Sequence, residues 1–481
     1  MKIKHITLKD VIYDYIPFTI SDDKNIKAEK DIIDTSWFQR LRRIFQLQAS
    51  WLVFPNAIHT RFVHSLGVMH LAGEFAKHLY DYFKIAFPNE YIPEEKNYII
   101  EVFRLAGLLH DIGHMPFGHL IDDIYTFKFY GKTHEDISAK IITEELGDII
   151  RKIKISPYGT FEKTIEPETI IKFIKFPQNF DNYQFWERIF AKIMFGPYNV
   201  DVIDFLLRDK YFTGIKEVGD IDYKRLISET LITDRGFTLN YSALSAFRAF
   251  LITRFNMFKN IYYNAKKDCI EKSFALLIPD VFKILKLGDI YKNLNKILNI
   301  DDFSLNSEIR SWLNSKNRLK SKIAKKWIDL LDNRKEILKK VYEEEFYISN
   351  FISKERITKE YEIEARVKSI LKKEKFIVSH NIIEIRNFHQ FVNYIGKDNI
   401  ERFDDIKSIA IYDSEKDKFL EIDDNKILDD IPVKYIILRV FVDAKSDIDS
   451  LDKELEGEQL SLGIKPEYSI DKRSRIEITN V

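Results

Sequence analysis

The sequence predicts a mainly α protein with a smaller α/β lobe at its C-terminal end. Three observations carry that reading. Apolar residues recur at helical spacing from Thr35 to about Phe83 and again from Tyr98 to Ile112. A further helical pattern runs from Val200 to Lys210, bounded by Gly196-Pro197 and Gly214. After about Glu374 the texture changes to short runs such as "SIAIYD" and "KYIILRVFV" with polar turns between them, which read as strands.

The elements follow in order. Pro55 marks a loop within the first helical region, at "WLVFPNAIH". The second helix is expected to stop at Gly113, with Pro116 just beyond. Residues 151–197 read as an irregular insert rich in Ile, Lys and Pro, and helices are expected over about 241–285 and 317–345. The expected organisation is a core over 1–290, a helical extension over 291–373 and the α/β lobe over 374–481. There are no internal repeats or low-complexity tracts.

Composition narrows the function classes. The 481 residues are 45% hydrophobic and 14% aromatic, a globular composition with room for a sizeable core. The 75 basic and 75 acidic residues cancel, so net charge argues for neither a nucleic-acid nor a membrane partner. Cys269 is the single cysteine, so there is neither an internal disulfide nor a thiolate cluster. No run approaches the roughly 20 apolar residues of a membrane span, and the start lacks a secretory apolar stretch. A cytoplasmic protein is expected. The basic stretch "SKNRLKSKIAKKW" places Leu319, Ile323 and Trp327 four apart, so its lysines read as the wet side of an amphipathic helix. Nucleic-acid binding is kept only as a secondary reading.

The chemistry lies in the histidines. Eight of the eleven fall between His59 and His134. His64, in "RFVHSLGVMHLAG", shares a helical face with Gly67, Val68, Leu71 and Phe75; alone it reads as a hydrogen-bonded core histidine. His110 closes an apolar helix and is followed by Asp111. A carboxylate there opposes the helix dipole, and a cation beside it would relieve the conflict. Asp201, Asp204, Phe205, Arg208 and Asp209 form one stripe of "NVDVIDFLLRDKYFTG"; alone it reads as a solvated face with an i,i+4 ion pair. His114, His119 and His134 titrate near neutrality and suit acid–base work, with Asp122 placed to orient one of them. Thr133 and Asp136 make a weak capping box before the helix that begins at His134.

The segments "FQRLRRIFQL", "VFPNAIHTRFVHSLGV", "RLAGLLHDIGHMPFGHLIDD" and "DVIDFLLRD" together resemble the HD-domain phosphohydrolases, most of all their deoxynucleoside triphosphate (dNTP) triphosphohydrolase branch. The likeness runs with gaps from "IIDTSWFQRLRRIFQLQ" to "TRFNMFKNIYYN", roughly half the chain. No segment resembles the sterile-alpha-motif domain that vertebrate members carry. The resemblance implies an HD-domain helical core and a divalent metal (Fe, Mn, Ni, Zn or Mg) held by His64, His110, Asp111 and Asp201. It implies a catalytic group of His114, His119, His134 and Asp122, and a phosphate-binding Arg61. Gln46, Leu47, Phe205, Asp209, Arg254 and Tyr262 match positions around the nucleotide. Asp34, Gln39 and Arg42 match part of an activating-nucleotide site in oligomeric relatives, so a homo-oligomer, dimer or tetramer, is expected. The implied reaction cleaves a dNTP to deoxynucleoside and inorganic triphosphate. Two positions depart from the branch, which commonly has Lys where Val202 stands and Tyr where Phe205 stands. The alternatives are an HD phosphohydrolase acting on another nucleotide or on single-stranded nucleic acid, and a non-catalytic binding protein.

Overall fold

The computed structural model describes residues 4–348, 376–385, 389–390, 408–420, 431 and 434–446. The described chain is mainly helical, with a smaller strand-containing C-terminal region. It opens with a hairpin the sequence reading missed, β1 (Lys4–Asp10) and β2 (Asp14–Ile20), paired antiparallel with Lys4 opposite Ile20. Asp10 closes its turn by accepting the Ile12 and Tyr13 amides.

Two long helices form the centre. Helix α1 (Arg61–Ala86) is buried over most of its surface and ends where Phe87 precedes Pro88, since a residue before proline disfavours helical backbone. Helix α2 (Lys96–Leu109) is buried from Tyr98 onward and ends three residues short of the expected Ile112. At Gly107 a Cβ would lie 2.8 Å from the Val68 backbone, so the two helices cross in direct contact there. Helix α3 (His134–Glu144) starts on a complete capping box between Thr133 and Asp136. The expected insert at 151–197 contributes aromatic residues to the core. Phe173 packs 4.4 Å from Phe103 of α2, and Trp186 and Phe190 are buried behind it.

Helix α4 (Val200–Thr213) is capped by Asn199, whose side chain accepts the Val202 amide, and ends at the left-handed Gly214. Strands β3 (Thr230–Thr233) and β4 (Gly236–Asn240) form a hairpin, followed by α5 (Leu244–Met257), α6 (Asp302–Ser311) and α7 (Arg318–Leu331). Helix α7 buries Ile323 and Trp327, as its amphipathic pattern requires. The helix expected over 317–345 stops here. Leu338–Ile348 is instead a strand, β5, because its alternating Val341, aromatic and Glu residues pair antiparallel with a later strand.

The chain divides into two units, residues 1–337 with 386–431, and residues 338–385 with 432–481. These bounds differ from breaks at 290 and 373, because residues 291–337 pack with the core. Strand β7 (Ser408–Asp413) also joins the first unit, running parallel to β4 with Ala410 opposite Thr238, and β8 (Lys418–Leu420) pairs on its other edge. In the second unit β9 (Lys434–Asp443) lies between β5 and β6 (Phe376–Glu384), all antiparallel. Leu438, Val440 and Val442 pack there against Val341, Tyr342, Phe376 and Val378. The helical part of the expected α/β lobe lies outside the described residues. Among the described residues no helix is long and apolar enough to cross a membrane.

Candidate metal and catalytic site

The α1–α2 crossing brings two imidazoles together. The Nε2 atoms of His64 and His110 are 3.3 Å apart, with the rings edge to face. Each Nδ1 is already engaged: His64 with Asp204 at 2.8 Å, His110 with the Gly107 carbonyl at 2.8 Å. Both Nε2 atoms are thereby left as electron-pair donors aimed at one point. Asp201 Oδ1 lies 3.0 Å from the first and 3.6 Å from the second. Two facing lone pairs beside a carboxylate are unfavourable unless a cation sits among them, so this set fits a divalent metal. Asp111 borders the same point, its Oδ1 being 3.3 Å from His110 Nε2, but its Oδ2 is turned to Arg61 at 2.6 Å. The three-residue group His64, His110 and Asp201 is therefore the tightest, with Asp111 beside it.

The stripe on α4 that reads as solvated is buried. Asp204, Arg208 and Asp209 are each 1% exposed or less. Arg208 holds both oxygens of Asp204, and its Nη1 reaches Asp10 of the hairpin at 2.8 Å. A Cβ on Gly67 would fall 1.9 Å from Asp204 Oδ1, so only glycine lets this pair sit against α1. Asp204 was missed as a functional residue. It orients His64, as carboxylates behind metal-binding histidines do.

The second group gathers His114, His119, Asp122 and His134. The His114 and His134 rings stack at 3.8 Å, and His119 meets both edge-on at the exposed mouth. Asp122 orients His114 Nδ1 through a short contact, not the nearer-in-sequence His119, and also accepts the Met115 amide. The reason is the backbone between them. Phe117 and Gly118 both have positive φ, 57° and 48°, and the turn re-aims His119. A Cβ on Gly118 would lie 2.6 Å from Arg61 Nη2, so the guanidinium lies directly against this turn.

The two groups differ electrostatically. Burial opposes protonation of His64, yet hydrogen bonds and charge from Asp201 and Asp204 together outweigh it and raise the ring to about 10. His110 is raised for the same kind of reason, by Asp111 and Asp201 against burial. Asp111 is held well below the usual carboxylate range because Arg61, His110 and His114 outweigh its burial. His134 is pushed down to about 4 by burial, with Arg61 and His110 adding to it, and His114 falls well below its ordinary value. Burial raises Asp122 well above its ordinary value.

The expected nucleotide residues fall in two sets. Asp209 accepts from the Tyr262 hydroxyl at 2.7 Å and contacts His59 Nε2 at 2.6 Å, while Phe205 stands edge-on to Tyr262. The Gln46 amide donates to the His59 carbonyl, which brings Gln46 and the buried Leu47 beside that histidine. Arg254 lies 5.4 Å above the Phe258 ring. His59 was missed; its only signal is its place two residues before Arg61. The expected activator residues lie elsewhere. Gln39 bonds Arg42 and the Ile33 carbonyl, Arg42 covers the Phe62 ring at 3.5 Å, and Asp34 pairs with Lys30.

A family model for the HD domain matches residues 61–173, which include His64, His110, Asp111 and the second group but not Asp201. The chain is 30% identical over 280 residues to the deoxynucleoside triphosphate triphosphohydrolase SAMHD1 homolog of Dictyostelium discoideum, covering 56% of this chain and 50% of that one. It is 30% identical over 289 residues to an uncharacterised protein of Methanocaldococcus jannaschii, covering 59% and 52%. The chain thus spans about half the length of these curated relatives. Among solved structures, a hypothetical protein from Aquifex aeolicus shares the fold, with a TM-score of 0.66 and 23% identity over 94% of this chain and 100% of that one. Residues 61–173 match the HD domain, and the chain resembles the dNTP triphosphohydrolase branch of the HD-domain phosphohydrolases.

Proposed function

We propose that the protein is a metal-dependent dNTP triphosphohydrolase that releases deoxynucleoside and inorganic triphosphate. The observation that carries this reading is the pair of facing Nε2 atoms on His64 and His110, closed by Asp201 and Asp111, directly beside a second histidine–aspartate group. His64, His110, Asp111 and Asp201 would hold the ion, which supplies Lewis-acid activation of water and of the α-phosphate when bound. Hydrolysis joins a water oxygen to the α-phosphorus and breaks its bond to the 5′-oxygen, which must leave with a proton. His119, at the mouth of the cleft, is placed to give that proton. Asp122 and the stacked His134 fix His114 in one orientation behind it. Burial holds His114 and His134 toward their neutral form, and the negative charge of a polyphosphate favours protonation of the group on binding. Arg61, fixed by Asp111 under the Gly118 turn, is placed to offset phosphate charge. Gln46, Leu47 and Asp209, backed by His59 and Tyr262, would surround the sugar.

A second reading has one specific support. Val202 and Phe205 stand where a lysine and a tyrosine are common in the branch, so α4 lacks that cation and that hydroxyl. A substrate with fewer phosphates, or a single strand of nucleic acid, would miss them less. Incubation with all four dNTPs and Mn²⁺ or Mg²⁺, with and without GTP, tests both readings, with Asp111→Ala as control. Deoxynucleosides plus triphosphate, lost in the variant, support the first reading. Intact dNTPs in metal-loaded protein reject it and direct the assay to nucleoside monophosphates and single strands. GTP dependence decides whether Asp34, Gln39 and Arg42 serve an activating nucleotide. We read the protein as a cytoplasmic homo-oligomer, and sedimentation of the same preparation measures the assembly.

A further inference from the structure

Phe117 occupies left-handed backbone that an aromatic residue rarely adopts, directly before a second positive-φ residue, Gly118. Such a turn persists only where its surroundings fix it. Its ring packs against Phe274 and Trp327, and its amide donates to Asp302 Oδ1 at 2.7 Å. The other carboxylate oxygen of Asp302 accepts the Phe45 amide at 2.9 Å, one residue before Gln46. Asp302 is 4% exposed and lies far outside the HD match, on the first turn of α6. Its neighbours point the same way. The Ile300 carbonyl accepts from Arg40 Nε at 2.9 Å, while Arg40 Nη2 donates to the His114 carbonyl at 2.8 Å. Residues 300–302 therefore tie down both ends of the segment from His114 to Phe117.

We propose that Asp302 is a positioning residue: its carboxylate locks the strained turn that aims His119 and sets it relative to the Gln46–Leu47 segment. The catalytic consequence rests on the function proposed above; the lock itself does not. With both amides bonded to a buried carboxylate, the turn is fixed before substrate arrives, and a loosened turn would misplace the proton donor without removing any group from the cleft.

The test pairs Asp302→Asn with Asp301→Asn. Asp301 caps the same helix and binds Arg43; asparagine caps as well as aspartate, so Asp301→Asn removes the Arg43 ion pair at the same helix start without releasing the Phe117 amide. In Asp302→Asn one oxygen becomes an NH₂ facing an amide. Hydrogen exchange of a peptide covering 114–119 should quicken at least tenfold in Asp302→Asn and stay near wild type in Asp301→Asn, with α1 amides protected in both. On a hydrolysed dNTP, kcat should fall about tenfold to a hundredfold in Asp302→Asn with KM and metal content little changed. Unchanged exchange at 114–119, or equal kcat losses in the two variants, overturns the proposal. Should Asp302→Asn fail to fold, the wild type still decides it. The Phe45 and Phe117 amides must exchange as slowly as the centre of α1, and rates typical of an exposed loop would overturn the lock. If no dNTP is hydrolysed, the functional reading fails while the exchange arm still judges Asp302.

Discussion

The two histidine groups use the same side chains under opposite conditions. In the first, carboxylates outnumber cations around His64 and His110, the Nδ1 atoms are tied back, and the Nε2 atoms converge. In the second, three imidazoles crowd one another near Arg61, and the carboxylate that orients His114, Asp122, is itself pushed toward its neutral form. The first environment favours positive charge and fits a cation; the second keeps its rings neutral until negative charge arrives. Asp111 stands at the boundary, 3.1 Å from His114 Nε2 and 3.3 Å from His110 Nε2. What separates the groups is thus the balance of charge around each ring: His114 faces two carboxylates, as His110 does, but Arg61 and His134 add to its burial and hold it low.

Removing a ligand from the first group should have the largest effect. His64→Ala or Asp201→Ala should lower turnover about a thousandfold or more, because the whole Lewis-acid contribution goes with the ion. Breaking the second group should cost less: His114→Ala is expected to lower kcat about 10²–10⁴-fold while bound metal, measured by elemental analysis, stays at the wild-type level. Equal loss of metal in both variants would erase the distinction. Asp204→Asn sharpens it further. The ligands remain but His64 loses its orienting carboxylate, so metal affinity by calorimetry should weaken about 10–100-fold.

The smallest effect is a pair of opposite pH dependences in metal-free protein. His64 is raised to about 10, so its contribution to stability is full below the unfolded value of roughly 6.5 and is lost as pH rises through about 10. His134 is lowered to about 4, so its contribution is present above roughly 6.5 and is lost as pH falls toward 4. Denaturant midpoints across pH should show His134→Asn flattening the acid limb and leaving the alkaline limb in place. An acid limb unchanged by the substitution would show that His134 is not held neutral by its surroundings.

The sequence made the histidine spacing, the central helices and the apolar faces of α1 and α2 legible, because each is a local pattern. It left the α4 stripe ambiguous, since Asp204 and Arg208 have the same i,i+4 spacing whether wet or buried. Gly67, on another helix, decides that question by making room for them. Which imidazole Asp122 orients was left open for a related reason: counting residues cannot see a turn with two positive-φ positions. His59, Asp10 and Asp302 act across long stretches of chain, with partners at Asp209, Arg208 and Phe117 that no window of sequence contains. The strand at Leu338–Ile348 was read as helix because its pairing partner, Lys434–Asp443, lies about a hundred residues downstream.

The division of labour between the two groups is tested most directly by metal stoichiometry. Elemental analysis of protein loaded with Mn²⁺ and then desalted should give one ion per chain in the wild type and in His114→Ala, and almost none in His64→Ala. Two ions per chain, or an ion retained in His64→Ala and lost in His114→Ala, would contradict the assignment of the cation to the His64–His110 pair.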